Sequence, residues 1–244
     1  MNENLTLNNR TARGYASEEE AAAHAHLDTA RLELLLDSTS ALERTIAVRL
    51  LSKRIGIEDT AFTRRLLGML EREKSLYTRM ALCSALESGD TYTAAEMIPY
   101  LGKIGGNQHT FVPDAPSKKT SFPLPRDIIA RSLGRMAPTI LPLLQQEIAE
   151  EHPVRLPEAI DAFGYLISRN EPLMLEEHCD LIARILDWHQ DDPLIVWKCL
   201  VCLSAFHLEY SEGFLQDFLR RESNPLLCAE ASRSLALVQS KIYF

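Results

Sequence analysis

The chain has 244 residues, of which 46% are hydrophobic, 25% charged and only 7% aromatic. That composition is ordinary for a globular protein, and it excludes wholesale disorder, collagen-like repetition and a membrane-embedded chain. The formal net charge of −8 argues against a general nucleic-acid binder, because a phosphate polyanion is repelled at long range.

In chain order, residues 1–16 are polar and Asn-rich, lack the apolar core of a secretory signal, and read as a mobile tail. Nothing later approaches the roughly 18 consecutive apolar residues of a spanning helix, so no membrane is expected. Helical periodicity begins at Ser17, where Ser17-Glu-Glu-Glu20 has the pattern of a capping box. The same device recurs at Ser40-Ala-Leu-Glu43, and Asp192-Pro193 and Asn224-Pro225 signal helix starts with proline at the first helical position. Between such starts lie helix-length segments without period-two alternation, which predicts an all-α chain.

The second helix of each predicted pair repeats a pattern. The strings RTIAVRLL, RMALCSAL, DIIARSL, PEAIDAF, KCLVCL and AEASRSL close on Leu51, Leu86, Leu133, Phe163, Leu203 and Leu235. Before each stands Leu50, Ala85, Ser132, Ala162, Cys202 or Ser234, small in all but the first. Three residues earlier come Ala47, Leu82, Ile129, Ala159, Cys199 and Ala231, on the same helix face. Small residues there let helices approach closely, and the large residue fills the adjoining groove. The closing residues recur at steps of 35, 47, 30, 40 and 32, the range of helical arrays.

This pattern resembles the HEAT-repeat family, including the bacterial HEAT-like repeats of the phycobilisome-lyase type. Its clearest copy is Asp37 followed by ALERTIAVRLLSKRIG, and Arg79 with Ala85-Leu86 echoes the family's Arg and Ala-Leu positions. Glu158 and Lys198 depart from it, standing where apolar residues sit in several other copies. The resemblance implies an α–α superhelix, a HEAT-like or armadillo-type solenoid of five to six antiparallel helix pairs, spanning residues 17–244 as one domain. Members of the family include scaffolds, adaptors, subunits of larger machines and a few enzymes, so the resemblance speaks to fold far more than to activity.

An irregular insertion at about 102–125 interrupts the array. It holds Gly102, Gly105, Gly106, Pro113, Pro116, Pro123 and Pro125, and is far longer than an ordinary helix–helix turn. From residue 103 to 135 the chain carries six bases against two acids, opposite in sign to the rest. Arg126 is expected in the first turn of the next helix, where a cation is unfavourable without a nearby anion. Arg131 and Arg135 are four residues apart and are expected to share that helix's face. The segment is therefore a candidate site for an anion or an acidic partner segment, through Lys118, Lys119, Arg126, Arg131, Arg135 and His109. A solvated loop whose bases neutralise acidic neighbours fits the same pattern.

Signals for chemistry are weak. Cys199-Leu-Val-Cys202 has redox or zinc spacing, but it lies mid-helix where the repeat wants small residues. Cys179 and His178 could join Cys202 in a zinc site if the fifth pair turns near 190. His24 and His26 are two apart on a helix and point away from each other. Trp188 and Trp197 could touch across the same turn as core, or one could anchor a partner. The five cysteines, odd in number and without an export signal, suggest reduced thiols in the cytoplasm. The reading is thus a non-catalytic interaction scaffold or adaptor, without cofactor or metal, binding a protein partner on its concave face and the repeat-three loop. A lyase-like enzyme handling a prosthetic group is the alternative, and a HEAT-like DNA-binding protein or glycosylase the second. Nucleic acid is disfavoured unless Arg49, Arg79, Arg131 and Arg135 form one basic stripe.

Overall fold

A computed structural model describes residues 9–55 and 59–240. Among the described residues the chain is helical and contains no strand. It divides into two compact units, Met1–Met97 and Ile98–Phe244.

The N-terminal unit holds α1 (Glu18–Ala23), α2 (Thr29–Leu35), α3 (Ala41–Arg54), α4 (Thr60–Arg72), α5 (Leu76–Glu87) and α6 (Thr91–Met97). Helices α2 and α3 form one pair and α4 and α5 the next, while α3 packs directly on α5 and α4 on α6. The Ser17 capping box forms as expected: its hydroxyl accepts from the Glu20 amide, and the Glu20 carboxylate accepts from the Ser17 amide. At Ser40 only half the device forms. The Ser40 hydroxyl accepts from the Glu43 amide, but the Glu43 carboxylate turns to the Ser38 hydroxyl instead. Residues 1–8 of the expected tail lie outside the described residues. Residues 9–16 are tied to α5: the Tyr15 ring meets Tyr77 edge-on, and the Tyr77 amide donates to the Arg13 carbonyl.

The two pairs of this unit are joined by an ion pair whose acid is buried and whose base is half-buried. Arg44 on α3 forks onto Glu73 at the end of α4, with N–O distances of 2.7 and 2.9 Å. The Glu73 carboxylate also accepts from the amides of Lys74 and Ser75, and Arg79 on α5 donates to the Glu73 carbonyl. Burial opposes ionisation of Glu73, but Arg44 and the two amides outweigh it and hold the carboxyl below its ordinary range.

The C-terminal unit holds α7 (Ile128–Leu133), α8 (Leu141–Ala149), α9 (Leu156–Ser168), α10 (Glu176–Trp188), α11 (Pro193–Leu203), α12 (Leu208–Arg221) and α13 (Pro225–Ser240). The pairs are α8 with α9, α10 with α11 and α12 with α13. Their second members pack in succession, α7 on α9, α9 on α11 and α11 on α13. The small positions of the repeat make this contact. Ser132, Ala162, Cys202 and Ser234 are all buried, as are Ile129, Ala159, Cys199 and Ala231. Leu235, the last closing residue, is only half-buried, consistent with its place on the final helix of the unit. Asp192 and Asn224 cap their helices through side-chain oxygens, as their Asx-Pro strings predict.

Glu73→Gln removes the charge from the joint of the N-terminal unit and is expected to cost about 2 kcal/mol at neutral pH. A carboxyl whose folded pKa is depressed stabilises above its unfolded pKa and loses that contribution as pH falls. The deficit of the variant should therefore shrink below about pH 4.5. Urea unfolding at pH 7 and pH 4 measures it.

Candidate functional site

The long insertion folds as an ordered lid over α11 and α13. Gly102 begins it at φ +75°, a left-handed conformation, where a Cβ would lie 2.9 Å from the Val154 carbonyl oxygen. The far end is held by Asp127, which is fully buried. One Asp127 oxygen caps α7 by accepting from the Ala130 amide at 2.7 Å. The other accepts from the Gly102 amide at 3.2 Å and the Gln108 side-chain amide at 2.8 Å. Between these ends, Phe122 stacks on Tyr165 of α9. Gly164 makes room for it: a Cβ there would lie 2.9 Å from both Phe122 and the Cys202 sulfur. Finally, Arg233 on α13 donates to the loop carbonyls of Ser117, Lys119 and Ser121 at 2.8, 3.3 and 3.2 Å.

Between this lid and the helices is a half-open cavity of about 290 Å³. Its roof includes His109, Lys119, Pro123 and Arg126, and its floor Trp197, Val201, Glu230 and Arg233. The His109 ring lies edge-on to Trp197 with centroids 4.7 Å apart. Trp197 donates its indole N–H to Glu230 at 3.2 Å, and the other Glu230 oxygen takes Arg233 at 2.9 Å. Among the described residues, the side chains of Lys119 and Arg126 have no hydrogen-bond or ion-pair partner, and neither ring nitrogen of half-buried His109 is hydrogen-bonded. Burial, with Lys198 and Arg126 adding repulsion, pushes His109 down to about 4, so its ring is neutral at pH 7.

Behind the floor lies a buried charge cluster. Lys198 on α11 is fully buried and meets Glu158 and Asp161 of α9, with both Glu158 oxygens at 3.4 Å. Two carboxylates share one ammonium. Burial pushes Glu158 up to about 7 despite Lys198, with Asp161 and Asp127 repelling further. Burial also raises Asp161. Lys198 stays charged because the two carboxylates outweigh its desolvation and raise its pKa.

Of the six residues singled out in the sequence, His109, Lys119 and Arg126 converge on the cavity. Lys118 is exposed on the same loop and does not line it. Two expectations about the following helix are corrected. Arg126 precedes it rather than sitting in its first turn, because Asp127 caps it and fills its N-terminus with a carboxylate. Arg131 and Arg135 do not share its face either, since α7 ends at Leu133; Arg131 instead donates twice to the Pro125 carbonyl at 2.9 and 2.8 Å. Glu230 and Arg233 carry no site signal in the sequence, whereas Trp197 is one of two candidate anchors. Trp197 packs on His109, while Trp188 is 65% exposed. The conceivable zinc ligands are otherwise engaged: Cys179 donates to the Tyr210 carbonyl, and His178 bonds the Leu173 carbonyl. Among the described residues no three His, Cys, Asp or Glu side chains are grouped to hold a metal. Burial raises the thiols of Cys199 and Cys202, and pushes Cys179 up to about 12.

The N-terminal unit has its own concavity, a groove of about 460 Å³ on α3 and α5. Ala81, Ser84 and Ala85 form its floor, and Tyr77, Met80 and Lys53 stand along it. Arg49, at the same groove, is tied to the Ala16 carbonyl and to Glu18.

No known family, curated protein or solved structure matches the chain.

Gly164→Ala should displace Phe122 and expose the lid, so limited proteolysis within residues 103–124 should speed up while the unit stays helical by circular dichroism. Lys198→Met should cost about 3–5 kcal/mol at pH 7.5, because it leaves two buried carboxylates without a counter-charge. A carboxyl whose folded pKa is raised favours the native state at low pH and destabilises it as pH climbs toward that pKa. The variant's deficit should therefore be smaller at pH 5.5 than at pH 7.5, which urea unfolding at the two values would show.

Proposed function

We propose that this chain is a non-catalytic protein-interaction module of the HEAT-like superhelical type, and that it engages an acidic segment of a partner protein. The groove on α3 and α5 and the lid of the C-terminal unit are its binding surfaces. Ordered succession of second helices within each unit supports the solenoid reading, since a pair alone cannot bury its apolar stripe.

One observation carries the functional reading. The lid is fastened through its backbone, by Arg233 and Arg131, while the Lys119, Arg126 and His109 side chains are left to a cavity. Ordered loops of this length are commonly functional.

Catalysis has less to stand on. The buried thiols are held far from thiolate, and Lys198 is locked between two carboxylates. A nucleic-acid reading is weakened because Arg49, Arg79 and Arg131 are each bonded to backbone carbonyls of their own unit. No helix among the described residues is long and apolar enough to cross a membrane. The cytoplasm remains our proposed compartment.

The test is affinity capture from a native lysate with three baits: wild type, Lys119→Glu/Arg126→Glu, and a form with residues 103–122 replaced by a short linker. A partner held by wild type, released by added salt, and lost from both variants is the expected result. Retention of that partner by the charge-reversed bait would remove the lid from the interface.

A further inference from the structure

We propose that the cavity under the lid is a carboxylate-binding site, taking an acid whose apolar body lies beside Trp197 and whose carboxylate meets Lys119, Arg126 and the His109 ring. This deepens the reading of the lid as a binding surface and rests on it.

The charged groups lining the cavity divide into those already paired and those still available. Among the described residues Glu230 is the one acid lining the cavity, and both of its oxygens are occupied, by Trp197 and by Arg233. Arg233 uses its other N–H groups on three loop carbonyls. Lys119 and Arg126 are left without partners among the described residues, so the cavity presents two cations and no free acid. Buried Lys198 lies behind, with its ammonium 5.9 Å from the Trp197 ring centroid. An anion entering here is attracted without displacing an existing ion pair.

Shape and wall chemistry narrow the ligand. About 290 Å³ lies at the small end of ligand sites and suits a single side chain or an aromatic acid. Pro113, Pro123, Leu124 and Val201 supply apolar wall beside the Trp197 ring, which is largely buried and already meets His109. A bare inorganic ion would leave that wall unused. A carboxylate matches the planar fork of a guanidinium, and a neutral imidazole adds one N–H donor. A phosphate dianion would demand more positive charge than two cations facing water provide.

The shared chemistry, a carboxylate beside an apolar group, has two sources: a free organic acid, or an Asp or Glu side chain of a partner. In Trp188→Phe protein, Trp197 is the sole tryptophan and reports on the cavity directly. The probes are N-acetyl-L-phenylalanine, its uncharged amide, the blocked peptide acetyl-Gly-Asp-Phe-Gly-amide, and inorganic phosphate. The expected result is saturable change in Trp197 emission with the acid or the peptide, in the millimolar range, and none with the amide. Tighter binding of the peptide assigns the site to a partner segment, and tighter binding of N-acetyl-L-phenylalanine assigns it to a free acid. Lys119→Gln/Arg126→Gln should weaken the carboxylate probe at least about tenfold with an unchanged melting temperature.

A carboxylate against His109 stabilises its protonated form, so affinity should rise between pH 7 and pH 5. His109→Gln should remove part of the rise: Lys119, Arg126, Glu230 and Arg233 line the same cavity and keep their charges, while Glu158, pushed up to about 7, takes up a proton over the same range and leaves Lys198 less neutralised behind the floor. The inference is overturned by no saturable response to either carboxylate, by equal binding of the amide, by tighter binding of phosphate, or by a double variant that binds normally. A pH profile unaffected by His109→Gln removes the imidazole from the contact and overturns that part. Partner capture without carboxylate binding sinks this inference alone. Carboxylate binding without any lid-dependent partner sinks the scaffold reading alone.

Discussion

The C-terminal unit turns on the buried carboxylate of Asp127. Twenty-five residues separate Asp127 from Gly102, and one oxygen of this side chain closes that span by accepting the Gly102 amide. The same oxygen accepts from Gln108, and the other caps α7. Closing a loop costs entropy that grows slowly with length, so one well-satisfied anchor at its neck stabilises a long segment effectively. The alternative would leave a buried charge unpaired, which is far more costly than an unmade surface contact. With the neck closed, Phe122 reaches the gap at Gly164, and the loop carbonyls come within range of Arg233.

The ion cluster at Lys198 belongs to the same architecture. In a regular repeat, α9 and α11 would meet through apolar side chains at these positions. Here they meet through one ammonium and two carboxylates, a contact that is strongly directional but contributes little net stability after desolvation. Its effect reaches the cavity, because Lys198 lies behind Trp197 and helps to keep His109 neutral. The electrostatics of the lid are therefore set partly by a residue that does not line the cavity.

Which features could be read beforehand follows from how local their causes are. Caps and small-residue positions depend on three or four neighbouring residues, so Ser17, Asp192, Asn224, Ala162 and Cys202 announced themselves. Glu158 and Lys198 each looked like a flaw in a copy of the repeat. They are forty residues apart, and only the packing of α9 on α11 turns two flaws into one pair. Arg233 contacts a carbonyl 116 residues away, and nothing in its own string marks it as a loop anchor. The helix boundary at Asp127 was different, because its signal was present. Asp is a strong cap and Pro125 disfavours helix before it, yet charge patterning drew attention to Arg126 and Arg131 instead.

With Arg126 before the helix and Arg131 bonded to Pro125, the basic segment has two parts. Counted as charge, its six bases form one feature. Sorted by bonding, they separate. Arg131 holds the Pro125 carbonyl and is architectural, while Lys119 and Arg126 keep their charges unpaired over the cavity. The buried acids near the cavity are occupied, Asp127 by three N–H groups, Glu230 by Trp197 and Arg233, and Glu158 and Asp161 by Lys198, while Asp114 is exposed on the loop and does not line the cavity. Were any of these acids free, it would be the natural partner for Arg126, and the cavity would close on itself. The acids beneath the lid are consumed internally, and this leaves the charges of Lys119 and Arg126 to the cavity mouth.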